Sequence, residues 1–112
     1  MKDLHWLDEI AASAVACDRS GICVYLNEKA AQTFAKDGGY DLLGKNLLDC
    51  HPEPARTLFA AQLASPAPNS YTIEKNGKKH LIHQTPWFRD GVFAGVVELA
   101  FEIPFELPHF VR

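Results

Sequence analysis

The side chains most able to do chemistry stand at Cys50-His51 and at His80. A thiol beside an imidazole could act as nucleophile and base, although sequence neighbours seldom present both groups to one substrate. No carboxylate at a recognisable spacing would orient the imidazole, and no oxyanion device stands nearby. Pro52 is a good helix starter, so the structural duty of this stretch is to pack Cys50 inside and leave His51 half exposed. His80 lies in a run of strand-forming residues and needs a partner if buried: a ligand (a metal-centred one included), a backbone carbonyl or solvent. Cys17, Cys23 and Cys50 are an odd count without disulfide-framework or zinc spacing. Cys17 and Cys23 read as small buried hydrophobes. Three function classes stay open: a binding module, a scaffold, and a small α+β enzyme with His51 or His80 as base.

The elements that hold these residues fit one domain, since 112 residues leave no room for a second. A hydrophobic share of 47% supports a real core and argues against disorder. Net charge is −3 and the sequence pI about 5.9. The one basic pair, Lys78-Lys79, flanks a turn, so no nucleic-acid partner is expected. No run reaches the roughly 18 to 20 apolar residues of a bilayer span, so no membrane partner is expected either. Asp3, Asp8 and Glu9 occupy the place of a secretory signal, and the chain is read as cytoplasmic.

Leu4, Leu7 and Ala11 fall at helical spacing, widened by Trp6 and Ile10, which predicts a short amphipathic helix within residues 1–13. Two apolar strands, Ala14 to Cys17 and Ile22 to Leu26, flank Arg19-Ser20-Gly21. Asn27 is a competent N-cap for a helix from Glu28 to Lys36, stopped by Gly38-Gly39. Pro52 and Pro54 set up a further helix, Ala55 to Ala64, with Ala55, Leu58, Phe59 and Leu63 inward. Tyr71 to Lys75, Lys78 to Phe88 and Val92 to Ile103 are predicted strands, joined by Asn76-Gly77 and Arg89-Asp90-Gly91. Strands at both ends with helices between them give an α+β domain on an antiparallel sheet.

A two-residue Asn76-Gly77 loop fixes a register. Ile73 then faces His80, and Tyr71 faces Ile82, so Tyr71, Ile73, His80, Ile82 and Gln84 share one face. That face is the better candidate for the inside. In the last strand Glu98 and Glu102 are taken to mark the outer face, with Val96 and Ala100 beside them on it, leaving Val97, Leu99, Phe101 and Ile103 inside.

The order of motifs, D-R-S-G at Asp18 to Gly21, an apolar strand, Asn27 leading a helix, then Tyr40-Asp41-Leu42-Leu43-Gly44-Lys45-Asn46, resembles the first half of a PAS domain. The resemblance covers about Ile10 to Ile103, and Cys50-His51-Pro52 is similar to a PAS subgroup with that word. It implies a PAS fold over residues 14–103: five antiparallel strands in order 2-1-5-4-3, with short helices covering one face and enclosing a pocket. It further implies a sensory or interaction module with no catalysis of its own. Phe34, His51, Tyr71, His80, Ile82 and Leu99 are the expected ligand-binding residues. If the cofactor is haem, its axial ligand is expected to be His51 or His80. LOV-type flavin chemistry is not expected, because Leu47 stands where the photoactive cysteine belongs. A homodimer through Leu4, Trp6, Leu7, Ile10 and Val96 is expected, as is a signalling partner protein. Residues 104–112 are read as an extended tail, since Pro104 and Pro108 favour only that path.

Overall fold

The computed structural model describes residues 5–112; Leu4, assigned above to the dimer surface, lies outside the described residues. The chain runs α1 (His5–Asp8), β1 (Ser13–Asp18), β2 (Cys23–Leu26), α2 (Glu28–Thr33), three 3₁₀ turns, α3 (Ala55–Ala64), β3 (Asn69–Lys75), β4 (Lys78–Arg89) and β5 (Val92–Ile103). The strands form one antiparallel sheet in the order β2-β1-β5-β4-β3, as expected.

Both hairpins on the β4 side close through two-residue loops. Asn76 and Gly77 have φ of 54° and 74°, and Asp90 and Gly91 have 51° and 80°, the left-handed pairs that a type I′ turn requires. Tyr71 pairs with Ile82 and Ile73 with His80, the register that the first loop dictates.

The face of β5 is reversed from the sequence reading, and a β-bulge is the cause. Phe88 pairs with Phe93 but Trp87 pairs with Gly95, so Ala94 is the extra residue. Without it, Glu98 would face His83; with it, Glu98 faces Gln84 and shares that residue's side of the sheet. Val96 and Glu98 therefore point inward, and Leu99 lies on the opposite, outer face with His83. Gly95 is what permits the crossing: its φ is 156°, and a Cβ there would lie 1.9 Å from the Cys17 carbonyl oxygen. That same carbonyl accepts a hydrogen bond from the Trp87 indole at 3.0 Å.

The core joins Val15, Cys17, Cys23, Leu26, Ala30, Ala31, Leu42, Leu47 and Val96. Cys17 and Cys23, opposed across β1 and β2, are each only 1% exposed. The edge of β2 is covered by backbone: Gly44 N–H donates to the Cys23 carbonyl, Cys23 N–H to that of Lys45, and Leu47 N–H to that of Gly21. The Gly44-Lys45-Asn46 word thus supplies a strand-like cover.

Asn27 ties the N-terminal half together. Its Oδ1 accepts from Ala30 N–H, as the N-cap of α2, and from Ala14 N–H of β1, while Nδ2 donates to the Leu7 and Ala12 carbonyls. The predicted N-terminal helix is a single described turn; the chain then bends into β1 at Ser13. Tyr25 Oη donates to Asp8 at 2.7 Å. That bond holds Asp8 below its ordinary pKa, while burial, then Asp8 itself, pushes Tyr25 up to about 12. After β5, residues 104–112 form no helix or strand, and Lys79 Nζ donates to the Phe105 carbonyl.

Candidate functional site

Between the sheet and α3 lies an apolar cavity of about 900 Å³. Its floor is Val15 and Cys17 of β1 with Val96 and Glu98 of β5; Tyr71 and Gln84 continue it onto β3 and β4. Phe34, Leu42, Leu47, Cys50 and His51 close one end, and Ala55, Leu58, Phe59, Ala61 and Gln62 of α3 form the roof. Of the inward positions expected on α3, Ala55, Leu58 and Phe59 line this space while Leu63 packs on the core; no residue of the helix is fully buried and Leu58 is 66% exposed. Phe59 and Leu63 rest the helix on the core, and polar ties fasten it near its two ends. Arg56 donates to the Leu48 carbonyl at 3.1 Å and sits 3.8 Å from Asp49, while Gln62 donates to Gln84 at 2.8 Å.

Gln84 organises the polar end of the cavity. Its Oε1 accepts from Gln62 and Asn69, and its Nε2 donates to Glu98 at 2.8 Å. Burial, with a smaller part from the Glu98 charge, raises the Tyr71 phenol above its ordinary pKa.

At the other end, the Leu47 carbonyl accepts from Cys50 Sγ at 3.2 Å and from His51 Nδ1, and the His51 ring lies 5.2 Å from that of Phe59. A carbonyl can only accept, so Nδ1 carries the imidazole proton and cannot take one from the thiol. Burial pushes the Cys50 thiol up, away from a reactive thiolate. The adjacent pair is therefore not set up as nucleophile and base.

Of the six residues expected to meet a ligand, Phe34, His51 and Tyr71 stand in the wall. His80 and Ile82 share the inward face of the sheet with Tyr71 but lie outside the cavity; Ile82 is buried, and the buried His80 Nδ1 has no hydrogen-bond partner among the described residues. Leu99 is on the far face. Val96, expected on the dimer surface, is buried in the core instead. Gln84 stands on the inward face as the register predicts, whereas Gln62, Asn69 and Glu98 are wall residues that sequence reasoning missed. The signal available was Gly95, since an isolated glycine inside a strand pattern marks a bulge.

No family model and no curated protein matches the chain. Solved structures do. The PAS domain of BvgS from Bordetella pertussis is similar at 14% identity and a TM-score of 0.65, over 89% of this chain and 82% of that one. A sensory box sensor histidine kinase from Vibrio cholerae gives 18% and 0.63, over 90% and 89%. The Aer2 receptor from Vibrio cholerae, a dual PAS-haem oxygen sensor, gives 20% and 0.61, over 83% and 95%. The chain has the PAS fold. In this PAS fold the cavity lies between the inward face of the sheet and α3, with the polar cluster around Gln84 on its β3 side. Among the described residues, no helix is long and apolar enough to cross a membrane, and no group of His, Cys, Asp and Glu could hold a metal ion.

Proposed function

We propose that this PAS domain is a non-catalytic sensory module that binds a small organic ligand between its sheet and α3. The observation that carries the reading is the cavity of about 900 Å³, mainly apolar, with convergent polar groups at one end. That volume and lining are what a drug-sized ligand requires. The sensor proteins among its structural neighbours support the same reading. Binding would act by population shift, favouring the arrangement in which α3 is drawn onto the sheet. A cytoplasmic location and a downstream protein partner belong to this proposal.

Haem does not fit the wall residues. Among the described residues His51 is the one imidazole in the wall, and they offer no Lys or Arg there for the two carboxylates of haem while placing Glu98 in it. The deciding experiment is denaturing mass spectrometry and an absorption spectrum of freshly purified protein. A small organic molecule released in stoichiometric amount, without a Soret band, is the expected result. A Soret band lost in His51→Ala would replace this reading with the haem one.

A homodimer remains part of the proposal, with its surface redrawn. Trp6 is 63% exposed, and Val97, Leu99 and Phe101 replace Val96 and Ala100 as the apolar strip on the outer face. Light scattering should give twice 12.5 kDa. A monomer mass at micromolar concentration would refute the dimer and leave the ligand proposal standing.

A further inference from the structure

Among the described residues, Glu98 is the only Asp, Glu, Lys or Arg in the cavity wall. It takes one hydrogen bond, from Gln84, and no Lys or Arg is paired with it among the described residues. A carboxylate against apolar surface gives up hydration and is stabilised by a cation or by hydrogen-bond donors. Gln84 Nε2 supplies one donor, leaving acceptor capacity on the carboxylate. The rest of the setting favours positive charge as well. Phe34, Phe59 and Tyr71 present aromatic rings to the same space, and ring faces attract cations. A ligand carboxylate or phosphate would meet Glu98 with no wall cation to offset the repulsion.

We propose that the ligand is an organic cation: a hydrophobic body lodged among Phe34, Leu58 and Phe59, with a protonated amine directed to Glu98 and Tyr71. This rests on the cavity being a ligand site and adds the charge and polarity of what fills it. The Gln62–Gln84–Glu98 chain gives the amine end a second role. Because Gln62 belongs to the roof and Glu98 to the floor, a cation that engages Glu98 acts on the same hydrogen-bond chain that ties the two together.

The test uses three probes of one shape and different charge: 4-biphenylmethylammonium, 4-biphenylmethanol and biphenyl-4-carboxylate, titrated by calorimetry at low salt. The expected order is ammonium, alcohol, carboxylate, with ammonium and carboxylate separated by more than about tenfold in Kd. Glu98→Gln, shown to be folded by circular dichroism, should bring the three affinities together, and added salt should narrow the gap in the wild type. A carboxylate that binds as tightly as the ammonium, or an order that survives Glu98→Gln, overturns the charge assignment while leaving the cavity a ligand site. If none of the three binds the wild type, the ligand-site reading fails and the charge assignment falls with it.

Discussion

Asn27→Ala should be among the most damaging single substitutions outside the large core side chains. Asn27 is 1% exposed and uses its full amide: two accepted bonds from Ala14 and Ala30, and two donated to Leu7 and Ala12. Losing an N-cap costs about 1 kcal/mol. The Ala14 N–H, on a residue 2% exposed, is left unsatisfied at a further ~1–3 kcal/mol. The Leu7 and Ala12 carbonyls lie on half-buried residues that water can reach, so each adds about 0.5 kcal/mol. The sum, roughly 3–5 kcal/mol, is a large part of the total stability of an ordinary domain. Urea unfolding followed by tryptophan fluorescence reads it: with a slope of about 2 kcal/mol per molar, the midpoint should fall by roughly 2 M. Asn27→Asp separates the two halves of the site, because it keeps both acceptor bonds and loses both donors. Its second carboxylate oxygen would face the Leu7 and Ala12 carbonyls, acceptor against acceptor, in a buried site, so it should cost at least as much as the alanine variant and act through the N-terminal segment. A loss below about 1 kcal/mol for Asn27→Ala would refute the reasoning.

Gly95→Ala should destabilise by more than about 3 kcal/mol, because its Cβ would strike the Cys17 carbonyl, a backbone atom that cannot swing aside; urea unfolding measures it. Leu58→Ser should leave the unfolding midpoint almost unmoved, since Leu58 is 66% exposed, yet weaken the biphenyl probes in calorimetry because Leu58 is in the roof. Glu98→Gln should lower the Tyr71 phenol toward its ordinary value without restoring it, because burial is the larger cause; ultraviolet titration reads the shift. For Tyr25, a pKa raised from 10.0 to about 12 favours the neutral phenol in the folded state. Its contribution is therefore full below pH 10.0 and is lost as pH rises toward 12. Tyr25→Phe should flatten that alkaline fall in a stability–pH profile.

The sequence was most legible where a turn dictates geometry. Asn76-Gly77 sets the register of β3 on β4 because few residue pairs tolerate two successive left-handed conformations. It was least legible in β5. Treating Glu98 and Glu102 as markers of solvent assumes that the polar side of a strand is the outer side. Here one wall of the cavity is itself polar, and the outer face carries Val97, Leu99 and Phe101. A single extra residue, Ala94, then reverses every position beyond it. The Asn27 cap was readable locally, from an asparagine ahead of a helical stripe. Its bonds to Leu7, Ala12 and Ala14 depend on chain paths that no local pattern encodes.

The attachment of α3 has a consequence for how occupancy would be detected. A helix of ten residues with none fully buried, resting on the core through the half-buried Phe59 and Leu63 and fastened through Arg56 and Gln62, has little apolar contact for its length. Its amides should therefore exchange with solvent through local opening, well ahead of those in the central strands β1 and β5. A ligand lodged beneath it would add to that apolar contact and slow the exchange most in α3. Occupancy would then be written as the lifetime of one helix, legible even where the average coordinates hardly change.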